Sequence, residues 1–90
     1  MAKCLSMYYM YILRSFKNND VYVGYTGDLK ARFKLHNSGK VKSTKSNRPW
    51  VLIYYEAYKN KSDATKREIE LKLHAAKKLL LDRLKRSLKI

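Results

Sequence analysis

Tyr, Val and Ile crowd two short runs near the start of the chain, Tyr8–Arg14 and Val21–Thr26, and the polar stretch Ser15–Asp20 between them carries Asn18-Asn19-Asp20. Aromatic and β-branched runs flanking turn residues predict a β-hairpin. In the second run the period of two puts Val21, Val23 and Tyr25 on one face and Tyr22, Gly24 and Thr26 on the other. Gly24 is costly in mid-strand, so a close approach to its backbone is expected.

Asp28 is placed to cap a helix from Leu29 to about Asn37, with Ser38-Gly39 closing it, because glycine readily takes the left-handed conformation that follows a helix. A rotation of 100° per residue gathers Leu29, Arg32, Phe33 and His36 on one face, with Arg32 and His36 four apart. Gly39–Pro49 reads as a basic, mobile connection. Trp50–Tyr58 then predicts a third strand, with Trp50, Leu52, Tyr54, Glu56 and Tyr58 on one face and Val51, Ile53, Tyr55 and Ala57 on the other. Apolar residues on both faces suggest a central strand. Ser62 is the expected cap of a second helix, with Asp63 in its first turn, where negative charge suits the helix dipole. Its apolar arc joins Ala64, Ile69, Leu71, Leu73, Ala75 and Ala76, Glu68 falls inside that arc near Lys72, and Lys66, Arg67, Glu70 and His74 point away. A last amphipathic segment, about 77–89, carries Leu80, Leu81, Leu84 and Leu88 into the core or onto a protein partner.

Charge changes this picture more than composition does. The 90 residues hold 21 Lys and Arg against 7 Asp and Glu, a net charge of +14, while 46% hydrophobic and 12% aromatic residues suffice for a packed core. One small basic domain over 1–90 is expected, its core spanning about 8–76, with any ligand site shallow. Such an excess points to a polyanion, nucleic acid first, because phosphate contacts release counterions. Lys30, Arg32, Lys34, Lys40, Lys42, Lys45 and Arg48 follow one another with no acid between them. The single cysteine, Cys4, excludes an internal disulfide and fits a reducing cytoplasm. The longest apolar run, Met7–Leu13, is far short of a membrane span, and the sequence leaves open whether Met1 or Met7 is the start, the second making Met1–Ser6 a leader.

No Walker loop, HExxH or Gly-x-Ser-x-Gly motif is present, and two histidines cannot build a histidine-rich metal site. What remains is Tyr11 and Tyr22 on neighbouring strands, Arg32 and His36 on the first helix, and Glu68 on the second. Cleaving a phosphodiester needs an activated water, a divalent cation and a cationic donor to the non-bridging oxygens. One carboxylate can anchor Mg²⁺, which keeps several waters, and a guanidinium fork suits phosphate.

At these residues the sequence resembles the GIY-YIG nuclease superfamily. Tyr9-Met10-Tyr11-Ile12-Leu13 is similar to its first motif strand, with Tyr9 where glycine is more usual, and Tyr22-Val23-Gly24 to its second. Thr26-Gly27-Asp28-Leu29 with Arg32, His36, Asn37 and Gly39 is similar to the helix motif, and Ala64, Arg67, Glu68, Leu71 and Lys72 to the helix of the metal-binding glutamate. The likeness is greatest to small stand-alone, single-domain members related to the nuclease domain of the bacterial excinuclease, a DNA-repair enzyme.

The resemblance implies an α+β fold, a three-stranded antiparallel sheet flanked by helices, and a metal-dependent endonuclease acting on DNA. It implies that Tyr22 orients or deprotonates the attacking water, Tyr11 supports water or phosphate, Arg32 stabilises transition-state charge and His36 assists proton transfer. Glu68 would hold one Mg²⁺ or Mn²⁺, and Gly24 would admit metal or phosphate. Many active members use a late asparagine, and this chain has none after Asn60. The alternative is a non-catalytic nucleic-acid-binding module on the same fold.

Overall fold

A computed structural model describes residues 6–88; Cys4, most of the stretch Met1–Ser6 and Lys89 lie outside them. Strand β1 (Tyr8–Ser15), strand β2 (Val21–Thr26) and helix α1 (Leu29–Ser38) come first, and a single 3-10 turn (Lys45–Asn47) leads into strand β3 (Trp50–Tyr58). Helices α2 (Lys61–Lys72) and α3 (His74–Arg83) follow. The three strands form one antiparallel sheet in the order β2-β1-β3, an α+β architecture as the resemblance implies.

The central strand is β1, not β3. Met10, Tyr11, Ile12 and Leu13 are each 1% exposed or less, so β1 is buried on both faces, whereas β3 carries the exposed Tyr55 and Ala57. Strict alternation along β3 also fails. Ile12 pairs with Tyr54 but Leu13 pairs with Leu52, so Ile53 is an extra residue in a bulge. A bulge puts two residues against one and turns the following side chains over. Trp50 and Leu52 therefore share a face with Tyr55, while Tyr54, Glu56 and Tyr58 turn to the opposite one.

The sheet thus separates two apolar clusters. Tyr11, Leu13 and Trp50 pack with Tyr22, Leu29, Phe33 and Leu52 beneath α1. Met10, Ile12, Val23, Leu71 and Leu80 pack with Ile53, Tyr54, Ala76 and Leu84 beneath α2 and α3.

The local signals explain most element ends. Asn19 sits at φ 64 in the hairpin turn, a conformation asparagine tolerates. The Asp28 side chain accepts from Ala31 N at 3.1 Å, and Gly39 follows α1 at φ 84. Helix α2 starts earlier than Ser62 implies: Asn60 is its cap and accepts from the Ser62 amide at 2.8 Å. The expected continuous arc is broken at Leu73, whose extended backbone (φ -78, ψ 136) ends α2 and begins α3. Ala75 and Ala76 therefore belong to α3, and Ile69 and Leu73 are 64% and 63% exposed. Helix α3 starts at His74 and ends at Arg83, where 77–89 was expected. Leu80 is buried, and Leu81, Leu84 and Leu88 are partly so.

Arg67 does not point away. It binds Glu56 of β3 at 2.9 Å and also pairs with Glu70. The Tyr54 hydroxyl donates to the same Glu56 carboxylate at 2.6 Å, and Tyr58 donates to its other oxygen. Burial alone would raise the pKa of Glu56, but the bonds from Arg67, Tyr54 and Tyr58 outweigh it and hold the pKa below the usual carboxylate value. This network ties the bulged end of β3 to the helix that carries Glu68.

Candidate active site

Tyr11 and Gly24 are direct partners across β1 and β2, and Leu13 pairs with Tyr22. On the α1 face the Tyr11 ring lies over Gly24. A Cβ on Gly24 would come within 2.4 Å of both Cζ and the hydroxyl of Tyr11. The close approach to Gly24 is made by Tyr11, and Gly24 is buried.

Helix α1 closes over this tyrosine. The Tyr11 hydroxyl lies 2.7 Å from His36 Nε2, and His36 Nδ1 lies 3.0 Å from Thr44 Oγ1. His36 and Thr44 are both fully buried. Burial, reinforced by the nearby positive charge of Arg32, drops the His36 pKa from 6.5 to about 4, so the ring is neutral at pH 7. Burial also pushes Tyr11 up to about 12, with Tyr22 and Glu68 adding to the rise against the opposing pull of Arg32. A neutral phenol and a neutral imidazole face each other. His36 is shut off from solvent and meets the Tyr11 hydroxyl.

Tyr22 is the more accessible of the two tyrosines. Its ring centroid lies 6.2 Å from Tyr11, 4.8 Å from His36 and 6.2 Å from Trp50. Arg32, one turn before His36, sits beside both hydroxyls, and Tyr11 is the main cause of its raised pKa. Its Nε is buried and finds no acceptor among the described residues. A buried donor without a partner is costly unless a ligand oxygen supplies one.

Glu68 lies on α2, close enough for its charge to add to the rise in the Tyr11 pKa. Its side chain is 20% exposed and pairs with Lys72 at 2.9 Å, across a lysine that is 54% exposed. It is half-buried beside the site and not submerged in the apolar core. Among the described residues no cluster of three or more His, Cys, Asp or Glu could hold a metal ion. A cation here would rest on a single carboxylate, and that donor set fits Mg²⁺ or Mn²⁺ completed by water and phosphate oxygens.

The segment expected to be mobile is tied down. Trp50 Nε1 donates to Thr44 O at 2.9 Å, Ser15 Oγ donates to Asn47 O at 2.6 Å, and Asn37 bonds both the amide and the carbonyl of Trp50. Thr44 is the site residue that sequence reasoning missed, because nothing distinguishes it from its Ser, Thr and Lys neighbours. Lys30, Lys34, Lys40, Lys42, Lys45 and Arg48 are all exposed. Lys42, Lys45 and Arg48 join Lys17, from the hairpin turn, around an open hollow of about 380 Å³.

A three-stranded sheet presenting two tyrosines, an arginine and a histidine to one face, with a glutamate on the following helix, defines a GIY-YIG domain. The GIY-YIG catalytic domain profile matches residues 7–80, and the chain belongs to this nuclease family. It is 45% identical over 69 residues to the UPF0213 protein SH2523 of Staphylococcus haemolyticus, covering 76% of this chain and 83% of that one. It is 39% identical over 77 residues to the UPF0213 protein SAV0488 of Staphylococcus aureus, covering 84% and 93%. The solution NMR structure of the UPF0213 protein BH0048 from Bacillus halodurans superposes with a TM-score of 0.54 at 40% identity, covering 88% of this chain and 85% of that one.

Proposed function

We propose that this chain is a metal-dependent endonuclease that hydrolyses phosphodiester bonds in DNA. The observation that carries the reading is the buried Arg32 Nε, without an acceptor among the described residues, beside the Tyr11 and Tyr22 hydroxyls, with the charge of Glu68 felt at Tyr11. A phosphate oxygen would satisfy that donor, and the guanidinium would stabilise the charge that grows on the non-bridging oxygens. Tyr22 is the phenol that water reaches, so its oxygen orients the attacking water. Tyr11 stays protonated near neutrality, and His36 fixes the direction of its hydroxyl. Glu68 would hold Mg²⁺ or Mn²⁺, which when bound neutralises phosphate charge.

The direct test is incubation of supercoiled plasmid and labelled DNA with the protein in Mg²⁺ or Mn²⁺. Wild type should nick or linearise the DNA, a chelator should abolish this, and Glu68→Gln and Arg32→Ala should each lose about 100-fold or more, as removal of one transition-state donor does. Absence of cleavage by wild type, or equal cleavage by Glu68→Gln, overturns the reading. The ion pair already made by Glu68 with Lys72 favours a second reading, a binding module that needs no metal. It predicts DNA binding that is unchanged by chelation and by Glu68→Gln.

A further inference from the structure

Beside the candidate active site, on the same face of the sheet, an open groove of about 550 Å³ runs between the start of α1 and the exposed edge of β3. Tyr9 and Tyr55 form its floor, their rings 5.9 Å apart and nearly perpendicular. Leu29 and Phe33 of α1 and Leu52 of β3 form its walls, and Lys30 stands at the rim. Tyr55 is 51% exposed, so the face of its ring that does not meet Tyr9 is open to a ligand. Asp28 also borders the groove, but its carboxylate caps α1, where the helix dipole offsets its charge.

Two relationships join this groove to the site. Tyr9 and Tyr11 are two residues apart on one face of β1, a separation of ~6.6–6.8 Å. Arg32 and Phe33 are neighbours on α1, so one helix offers a phosphate donor to one side and an aromatic wall to the other. A nucleotide has this same polarity, an anionic phosphate beside a flat apolar base. Lys30 and Lys34 are exposed, and Asp28 is the one acid among the described residues that line the groove. That balance complements a nucleic-acid strand and not a basic peptide. Aromatic surfaces next to cations are how proteins hold unpaired bases, and stacking tolerates any base because each has a π-face.

We propose that this groove is a nucleobase subsite: it takes one unstacked base of the DNA strand whose phosphate lies at Arg32. The inference rests on the nuclease reading for the position of that phosphate, but base capture itself needs neither metal nor cleavage. Binding is therefore measured on the full chain in EDTA, comparing oligo-dT with an oligomer of equal length in which every residue is an abasic sugar-phosphate.

Wild type should bind oligo-dT about 5- to 150-fold more tightly than the abasic strand, the range expected for one aromatic stack. Tyr55→Ala should lose most of that preference while binding the abasic strand as wild type does, and Tyr55→Phe should keep it. With 5-iodouracil in place of thymine, photocrosslinks should fall on Tyr9, Phe33 or Tyr55. Equal discrimination by wild type and Tyr55→Ala, or crosslinks confined to residues outside the groove, overturns the proposal. A protein that captures the base but cuts nothing leaves the groove standing and removes the nuclease reading; cleavage without discrimination does the reverse.

Discussion

The Tyr11 hydroxyl and His36 Nε2 are 2.7 Å apart inside a pocket from which both side chains are shut off from solvent. The direction of that bond follows from the far side of the ring. Thr44 Oγ1 donates to Val41 O at 3.3 Å, so it accepts from His36 Nδ1–H, leaving Nε2 to accept from Tyr11. Three residues from β1, α1 and the loop after it thus aim one phenol.

That burial has a pH signature. Native His36 binds no proton until pH approaches about 4, whereas the unfolded chain takes one up below its ordinary value of 6.5. The unfolded state holds the extra proton between these values, so stability is complete above pH 6.5 and falls as pH drops towards 4, by about 3 kcal/mol at most. Urea denaturation at pH 7, 6, 5 and 4.5 should show this slope in wild type and a flatter one in His36→Gln. Equal slopes would place the acid sensitivity elsewhere.

Thr44→Val keeps the shape and removes the acceptor. The Nδ1–H is then left buried without a partner, at a cost of about 1–3 kcal/mol, or the ring changes tautomer and donates from Nε2 to Tyr11. Imidazole ¹⁵N shifts should report Nε2 unprotonated in wild type and a protonated population in the variant, and DNA cleavage should fall about 10-fold. A variant with wild-type shifts and stability would show that Thr44 does not set the tautomer.

Gly24→Ala tests the close packing of Tyr11 on β2. Its Cβ would lie 2.4 Å from two Tyr11 atoms, so the ring must leave its position and its bond to His36. Overpacking of this kind costs about 1–3 kcal/mol, and cleavage should fall with it. In a Tyr11→Ala background the same substitution should cost almost nothing, because the obstacle is gone. Additive losses in the double variant would locate the damage away from Tyr11.

The elements whose signals are local were legible in the sequence. The hairpin turn at Asn19, the Asp28 cap, Gly39 and the strand Trp50–Tyr58 all follow from side chains acting on their own backbone. The candidate set Tyr11, Tyr22, Arg32, His36 and Glu68 was named through the family resemblance, and the structure brings Tyr11, Tyr22, Arg32 and His36 together on the α1 face of the sheet. Features set by tertiary contact were not. A bulge at Ile53 leaves no mark in an apolar run, and it reverses the facing of Tyr54, Glu56 and Tyr58. Arg67 reads as a surface cation until Glu56 is brought opposite it. Thr44 gains meaning only from the ring of His36 and the indole of Trp50 closing on it.

The basic excess divides by position in the same way. Lys17 lies outside the acid-free run, yet it shares a hollow with Lys42, Lys45 and Arg48, and its ammonium donates to Ser46 O at 3.1 Å. If this hollow carries the strand, each cation that meets a phosphate releases counterions, and the slope of log K against log salt measures how many do. Lys17→Gln, Lys42→Gln and Lys45→Gln should each lower that slope by about 1 without changing sequence preference. Lys85, on the last described segment and 3.5 Å from Asp82, lies far along the chain from this hollow, and Lys85→Gln should leave the slope as it was. Titrations of labelled DNA in EDTA at several salt concentrations separate the two. Equal slopes for Lys17→Gln and wild type would confine the phosphate track to the run beginning on α1, whereas a loss equal to that of Lys42→Gln extends it across the hairpin turn.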